Sequence, residues 1–319
     1  MIPHLRFHHA SAVLVAALLL AVPACSSDED SSPSRGSTTT AAADESTTTT
    51  AGEAPEPEAF EGSVDDFYVV PDPLPAGQPG DLIRTQPLKE DNGDTGLRIM
   101  YHSSDVNGTD RAVTGVVYYP TEEPPEGGWP VLAKAHGTTG IASQCAPSRI
   151  PLIPGDYGVR GVRVQTDYIG LGPVGEVHSY LSATAEGNAM VDSVVAVHQI
   201  ADAHAGDQWV VYGHSQGGHA ALITNEIAAE RAPQFDLLGT VAASPGAQLT
   251  ETYGDTIQTR IITTMVLLGS VDEYPDLDPT DYLGPEAYAA GKRVVNDECL
   301  AAIIATMLPL AARDDFYVL

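Results

Sequence analysis

Positive charge is scarce in this chain: 15 Lys+Arg face 43 Asp+Glu over 319 residues, a formal net charge of −28. That balance excludes a nucleic-acid binder, because phosphate recognition needs clustered cations. Cysteine is scarcer still. Three cysteines are too few for a disulfide scaffold, and no cluster has zinc-finger spacing, so no metal is expected. No apolar run reaches the length of a membrane span; the longest, residues 10–24, falls short of about 20. With 43% hydrophobic and 18% charged residues the chain is globular in composition, and its stability must rest on a buried core.

The apolar run has a different meaning. Arg6 and three histidines precede it and Ala24 ends it, which is the layout of a secretory signal peptide over residues 1–24. The following VPAC resembles the lipobox of bacterial lipoproteins, with Pro23 departing from the usual small residue; an ordinary signal-peptidase site is the alternative. The resemblance implies acylation of Cys25 and a membrane anchor on the outer side of the cell envelope. Residues 25–61 are Ser/Thr/Pro/acid-rich, carry hardly any large apolar side chain, and read as a disordered tether. Residues 62–319 keep 34 acids against 13 bases, net −21, which argues against an electrostatic grip on anionic headgroups.

From residue 97 the pattern alternates. LRIMYHSS (97–104) and RAVTGVVYY (111–119) flank an NGTD turn and predict a hairpin. VLAKA (131–135), GVRVQTD (161–167), QWVVYG (208–213) and LGTVAAS (238–244) predict buried strands, with helices over 183–204 and 216–231 between the last three. Such alternation implies an α/β fold with a mostly parallel sheet, over residues 62–249. Residues 250–319 lose it: an acidic, proline-punctuated loop (272–285) precedes an apolar helical stretch (287–308), which reads as a cap or lid.

The sharpest chemical signal is GHSQGG (213–218), between a predicted strand and a predicted helix. A G-x-S-x-G there is a nucleophile elbow: a turn too tight for side chains at Gly213 and Gly217 lifts Ser215 to the tip, and Gly218 lets the helix approach the sheet. Acyl transfer also needs oxyanion donors. The backbone N–H of Gln216 is one candidate, and Thr138 in AHGTTG (135–140) supplies the second, by its N–H and its hydroxyl.

Together with GDLIRTQPL (80–88), QCAPS (144–148), TDYIGLG (166–172) and VHSYL (177–181), these motifs resemble the secretory lipase family, the lipase-A-like α/β-hydrolases, from about residue 65 onward. The resemblance implies a serine lipase or carboxylesterase with a helical cap and a Ser, Asp, His triad in that chain order. Asp167 reads as a loop-holding residue, His178 and His214 as structural, and His219 as pointing along its helix, away from the hydroxyl. The remaining cysteines, Cys145 and Cys299, are expected to form a disulfide that fixes the cap.

The expected function is therefore hydrolysis of neutral acyl esters or lipids by a lipid-anchored enzyme through an acyl-enzyme on Ser215, with no cofactor. A catalytically silent lipoprotein that binds acyl chains or a partner is the alternative. Downstream of Ser215 the only histidine is His219, so the triad Asp and His are expected to lie on a segment missing from these residues, together with the last strands. Substrate identity and oligomeric state stay open.

Overall fold

A computed structural model of the chain describes residues 56–91, 93–150, 158–248 and 256–318. The expected signal peptide, Cys25 and most of the expected tether lie outside the described residues. The order is β1 (Glu58–Ala59), α1 (Val64–Phe67), β2 (Leu82–Asp91), β3 (Asp94–Ser104), β4 (Asp110–Tyr119), β5 (Trp129–Ala135), β6 (Val162–Thr166), α2 (Ala183–Val197), β7 (Ala205–His214), α3 (Gln216–Arg231), β8 (Asp236–Ala243), α4 (Ile257–Gly269), α5 (Pro285–Val295) and α6 (Leu300–Ala311).

The strands form one sheet in the order β1-β2-β3-β4-β6-β5-β7-β8. The predicted hairpin is present as β3–β4, with Ser104 opposite Asp110. β2 continues it antiparallel on the outer side, a strand the periodicity did not reveal. β5 pairs in parallel with β6 and β7, and β7 with β8. Each parallel step from β6 onward is closed by a helix, as the β–α–β–α–β order requires.

Side chains alternate between the two faces of the sheet. Val131, Ala133 and Ala135 of β5 and Val162 and Val164 of β6 bury against Met190 and Val194 of α2 and Ala220 and Ala221 of α3. The small residues of α3 let it lie close to the strands. On the other face the same strands carry Leu132, Lys134, Arg163 and Gln165. β8 departs from the buried strand expected of it: Leu238 and Val241 are 62% and 63% exposed. The reason is its place in the sheet, since β7 is its one strand partner among the described residues.

The C-terminal helices build a second apolar cluster from Ile261 and Met265 of α4, Ala290 and Val294 of α5, and Ile303 and Met307 of α6, joined by Ile141 and Tyr180. The single apolar stretch expected over 287–308 is two helices, and α4 precedes them. The break falls at Asn296–Glu298, where Asn296 and Asp297 are poor helix formers, next to Cys299, whose backbone is extended (φ −95°, ψ 172°).

Candidate active site

Ser215 joins β7 to α3 with φ 59° and ψ −118°, a conformation rare for any residue but glycine. Backbone bonds hold it there: Ser215 N–H donates to Ala243 O (3.0 Å), and Ser215 O accepts from His219 N–H and Gly246 N–H (both 3.1 Å). The glycines are required by contact. A Cβ on Gly213 would lie 2.1 Å from Gly217 O, and one on Gly217 would lie 2.1 Å from Ala135 O. A Cβ on Gly218 would lie 2.8 Å from Pro245 Cα and 2.9 Å from Ala243 O. The strand–turn–helix is thus the elbow that the motif implied, with Gln216 opening the helix and its backbone N–H unbonded within it.

The AHGTTG segment leaves β5 beside this turn, because β5 and β7 are paired up to Ala135 and Gly213. The hydroxyl of Thr138 is committed elsewhere, sharing a hydrogen bond with Tyr180 Oη at 2.6 Å. His136 is buried between the carbonyl oxygens of Gly137 (2.7 Å) and Asp167 (3.1 Å), and its ring stacks on Tyr168 at 4.2 Å. Burial pushes its pKa down to about 4, so it is neutral at ordinary pH.

Glu186 holds a network that sequence reasoning missed. This fully buried carboxylate accepts from Gln216 Nε2 (2.8 Å) and Leu181 N–H (3.1 Å) on one oxygen and from His219 Nδ1 (2.6 Å) on the other. His178 donates through Nδ1 to Ile169 O (2.7 Å), which leaves its Nε2 to accept from Gln216 Nε2 (2.9 Å). Burial alone would raise the Glu186 pKa, but the two imidazoles beside it, His178 and the hydrogen-bonded His219, outweigh burial and hold the group below the ordinary value. His219 is therefore bound to a carboxylate, and no side chain among the described residues hydrogen-bonds Ser215 Oγ.

Asp167 is buried and accepts from Ser148 N–H (2.9 Å), Thr114 Oγ1 (2.6 Å) and the Ser148 hydroxyl. It holds the Pro147–Arg149 turn, an earlier segment than the loop following it. Burial raises its pKa to about 6, against the lowering effect of these hydrogen bonds. Cys145 and Cys299 are joined, with Cα atoms 5.5 Å apart, and Leu300 N–H donates to Thr139 O at 2.8 Å. The start of α6 is thereby tied twice to the loop that carries Thr138. Gly140 sits inside this junction at φ +131°, where a Cβ would meet Cys145 Sγ at 2.9 Å.

Ser215, His214, Thr138 and Gln144 line a cleft of about 1340 Å³. Its opposite wall is apolar, from Ile257, Ile261 and Met265 of α4 and Leu300, Ile304 and Leu308 of α6. Among the described residues no group of three or more His, Cys, Asp or Glu side chains could hold a metal ion, and no helix is long and apolar enough to cross a membrane.

A mixed sheet with helices on it and a serine on a strained elbow at the strand ends define an α/β-hydrolase. Residues 157–314 match the model of the secretory lipase family, so the family resemblance carried by the motifs is borne out. In structure, the rice cell wall degrading esterase LipA from Xanthomonas oryzae is similar at 19% identity, covering 76% of this chain and 74% of that one, with a TM-score of 0.62. Candida antarctica lipase A in its closed state is similar at 17% identity and a TM-score of 0.59; the match covers 75% of this chain and 60% of the lipase. No curated protein matches the chain.

Proposed function

We propose that this chain is a secreted serine ester hydrolase, held to the cell envelope by a lipidated Cys25 and acting on acyl esters through an acyl-enzyme on Ser215. The observation that carries the reading is Ser215 on a strained elbow facing a large cleft with an apolar far wall. In the reaction Ser215 Oγ attacks the ester carbonyl carbon as its hydroxyl proton is withdrawn, and the oxyanion that develops accepts hydrogen bonds from the backbone N–H groups of Gln216 and Thr138. Collapse breaks the ester C–O bond, and the alkoxide leaves as the alcohol with the proton given up by the serine; water then adds to the acyl-serine, the acyl–Oγ bond breaks, and a proton from that water returns to Ser215 Oγ as the carboxylic acid departs. The general base is not assigned to His136, which lies between two carbonyl oxygens, to His178, which is bound to Gln216, or to His219, which is bound to Glu186.

Glu186 and His178 act by holding the Gln216 side chain, and so the start of α3 where one oxyanion donor sits. α4 to α6 serve as the cap, and the far wall of the cleft takes the acyl chain. The test is covalent labelling with a fluorophosphonate. A single adduct on Ser215, lost in Ser215→Ala with folding retained, is the expected result; an unlabelled native protein would favour the silent acyl-chain binder instead. The anchor has its own measurement: the mature protein should begin at Cys25 with the mass of attached acyl chains and partition with membranes, and an unmodified mass would remove this part of the reading.

A further inference from the structure

Lys134 is an electrostatic anomaly. It is one of three lysines in a chain with 43 acids, it is half-buried, and no acid or other hydrogen-bond partner contacts its ammonium among the described residues. Its neighbours explain where it points. β5 and β6 are in register so that Lys134 pairs with Gln165, and both side chains line the Ser215 cleft on the face away from α2 and α3. Gln165 is only 2% exposed, and its Oε1 has no hydrogen-bond partner among the described residues. The other two charged residues of the cleft, Asp65 and Arg149, are 3.3 Å from each other, and the Arg149 guanidinium stacks on Tyr68 at 3.9 Å.

We propose that Lys134 and Gln165 form an anion subsite within the Ser215 cleft, taking the ionised carboxylate of an amphiphilic acyl ligand whose apolar part lies along α4 and α6. The ammonium donates to the carboxylate, and the Gln165 carbonyl accepts from a hydroxyl or N–H beside it. Burial pulls the Lys134 pKa below the ordinary lysine value, the sign of a cation short of water and of a counter-charge. A bound carboxylate supplies that counter-charge where the surrounding acids, on the outer surface, are screened. Position along the sheet sets the geometry. Tyr212 pairs with Lys134 on the β7 side and Ser215 follows three residues later, so the subsite lies roughly 10 Å from the nucleophile. Resting on the hydrolase reading above, the ligand is an ester that also carries a free carboxylate, an anionic class in place of the neutral esters expected from the sequence.

The experiment is calorimetric binding to the full chain carrying Ser215→Ala, with octanoate and its neutral counterpart octan-1-ol as probes. Lys134→Met should weaken octanoate roughly tenfold, the loss of one charge-assisted hydrogen bond, and leave octan-1-ol unchanged. Lys134→Arg should retain octanoate binding, and Lys89→Met, on β2 and outside the cleft lining, should not alter it. Equal octanoate binding in Lys134→Met, equal weakening by Lys89→Met, or no octanoate binding at all would overturn the subsite. Retained octan-1-ol binding shows that the cleft is intact in each variant. Fluorophosphonate labelling of Ser215 reports separately on the hydrolase: an unlabelled serine with Lys134-dependent octanoate binding would overturn the ester reading and support the anion subsite.

Discussion

Two buried groups that follow β5 and β6 titrate in opposite senses. His136, with its pKa lowered from 6.5 to about 4, leaves the folded state short of a proton that the unfolded chain binds, so its contribution to stability is full above pH 6.5 and is lost as pH falls toward 4. Asp167, raised from 3.8 to about 6, does the reverse: the folded state holds the extra proton, and stability from this group grows as pH falls from 6 toward 4. Between pH 6 and 4 the two slopes offset each other. Thermal melts of Asp167→Asn across that window should show a steeper loss of stability on acidification than the parent. An identical pH profile would mean that Asp167 does not titrate there. Ser215 was legible because its glycines are local, whereas Glu186 was not. A glutamate in the first turn of a helix reads as a favourable dipole interaction, and its partners lie 30 and 33 residues away at Gln216 and His219.

At the scale of elements, the elbow depends on strand β5 as much as on β7. Gly217→Ala sets a methyl group against the Ala135 carbonyl, and neither backbone can retreat without breaking the β5–β7 pairing. Destabilisation of about 3 kcal/mol or more is expected, measured by urea unfolding, with Ser215 labelling lost in the fraction that stays folded. A fully labelled, equally stable variant would show that the turn has slack. The parallel core was readable because β-branched runs and helical periods alternate cleanly there. β2 escaped because LIRTQPLKED mixes charge and proline, and its pairing comes from β3, which carries the stronger strand pattern. The α5–α6 break escaped because apolar periodicity resumes directly after Asn296–Glu298, so the eye carries one helix across it.

Taken as a whole molecule, the sheet core and the C-terminal helices are two apolar clusters, meeting at Ile141 and Tyr180 and at the junction of α6 with the Thr138 loop. Helices with a core of their own would ordinarily form an independent opening unit, exchanging their amide hydrogens at a rate unrelated to that of the sheet. The Cys145–Cys299 bond and the Leu300–Thr139 hydrogen bond cancel that independence at one point. An opening that unwinds the first turn of α6 must also carry away residues 138–140. In the oxidised protein, deuterium uptake at Leu300–Ile303 and at Thr139–Ile141 should therefore rise together through any denaturant series. After reduction the two segments should separate, the helix exchanging first. The Thr138 loop then inherits its rigidity from a helix some 160 positions further along the chain, and its local clock is set by the redox state of the surroundings.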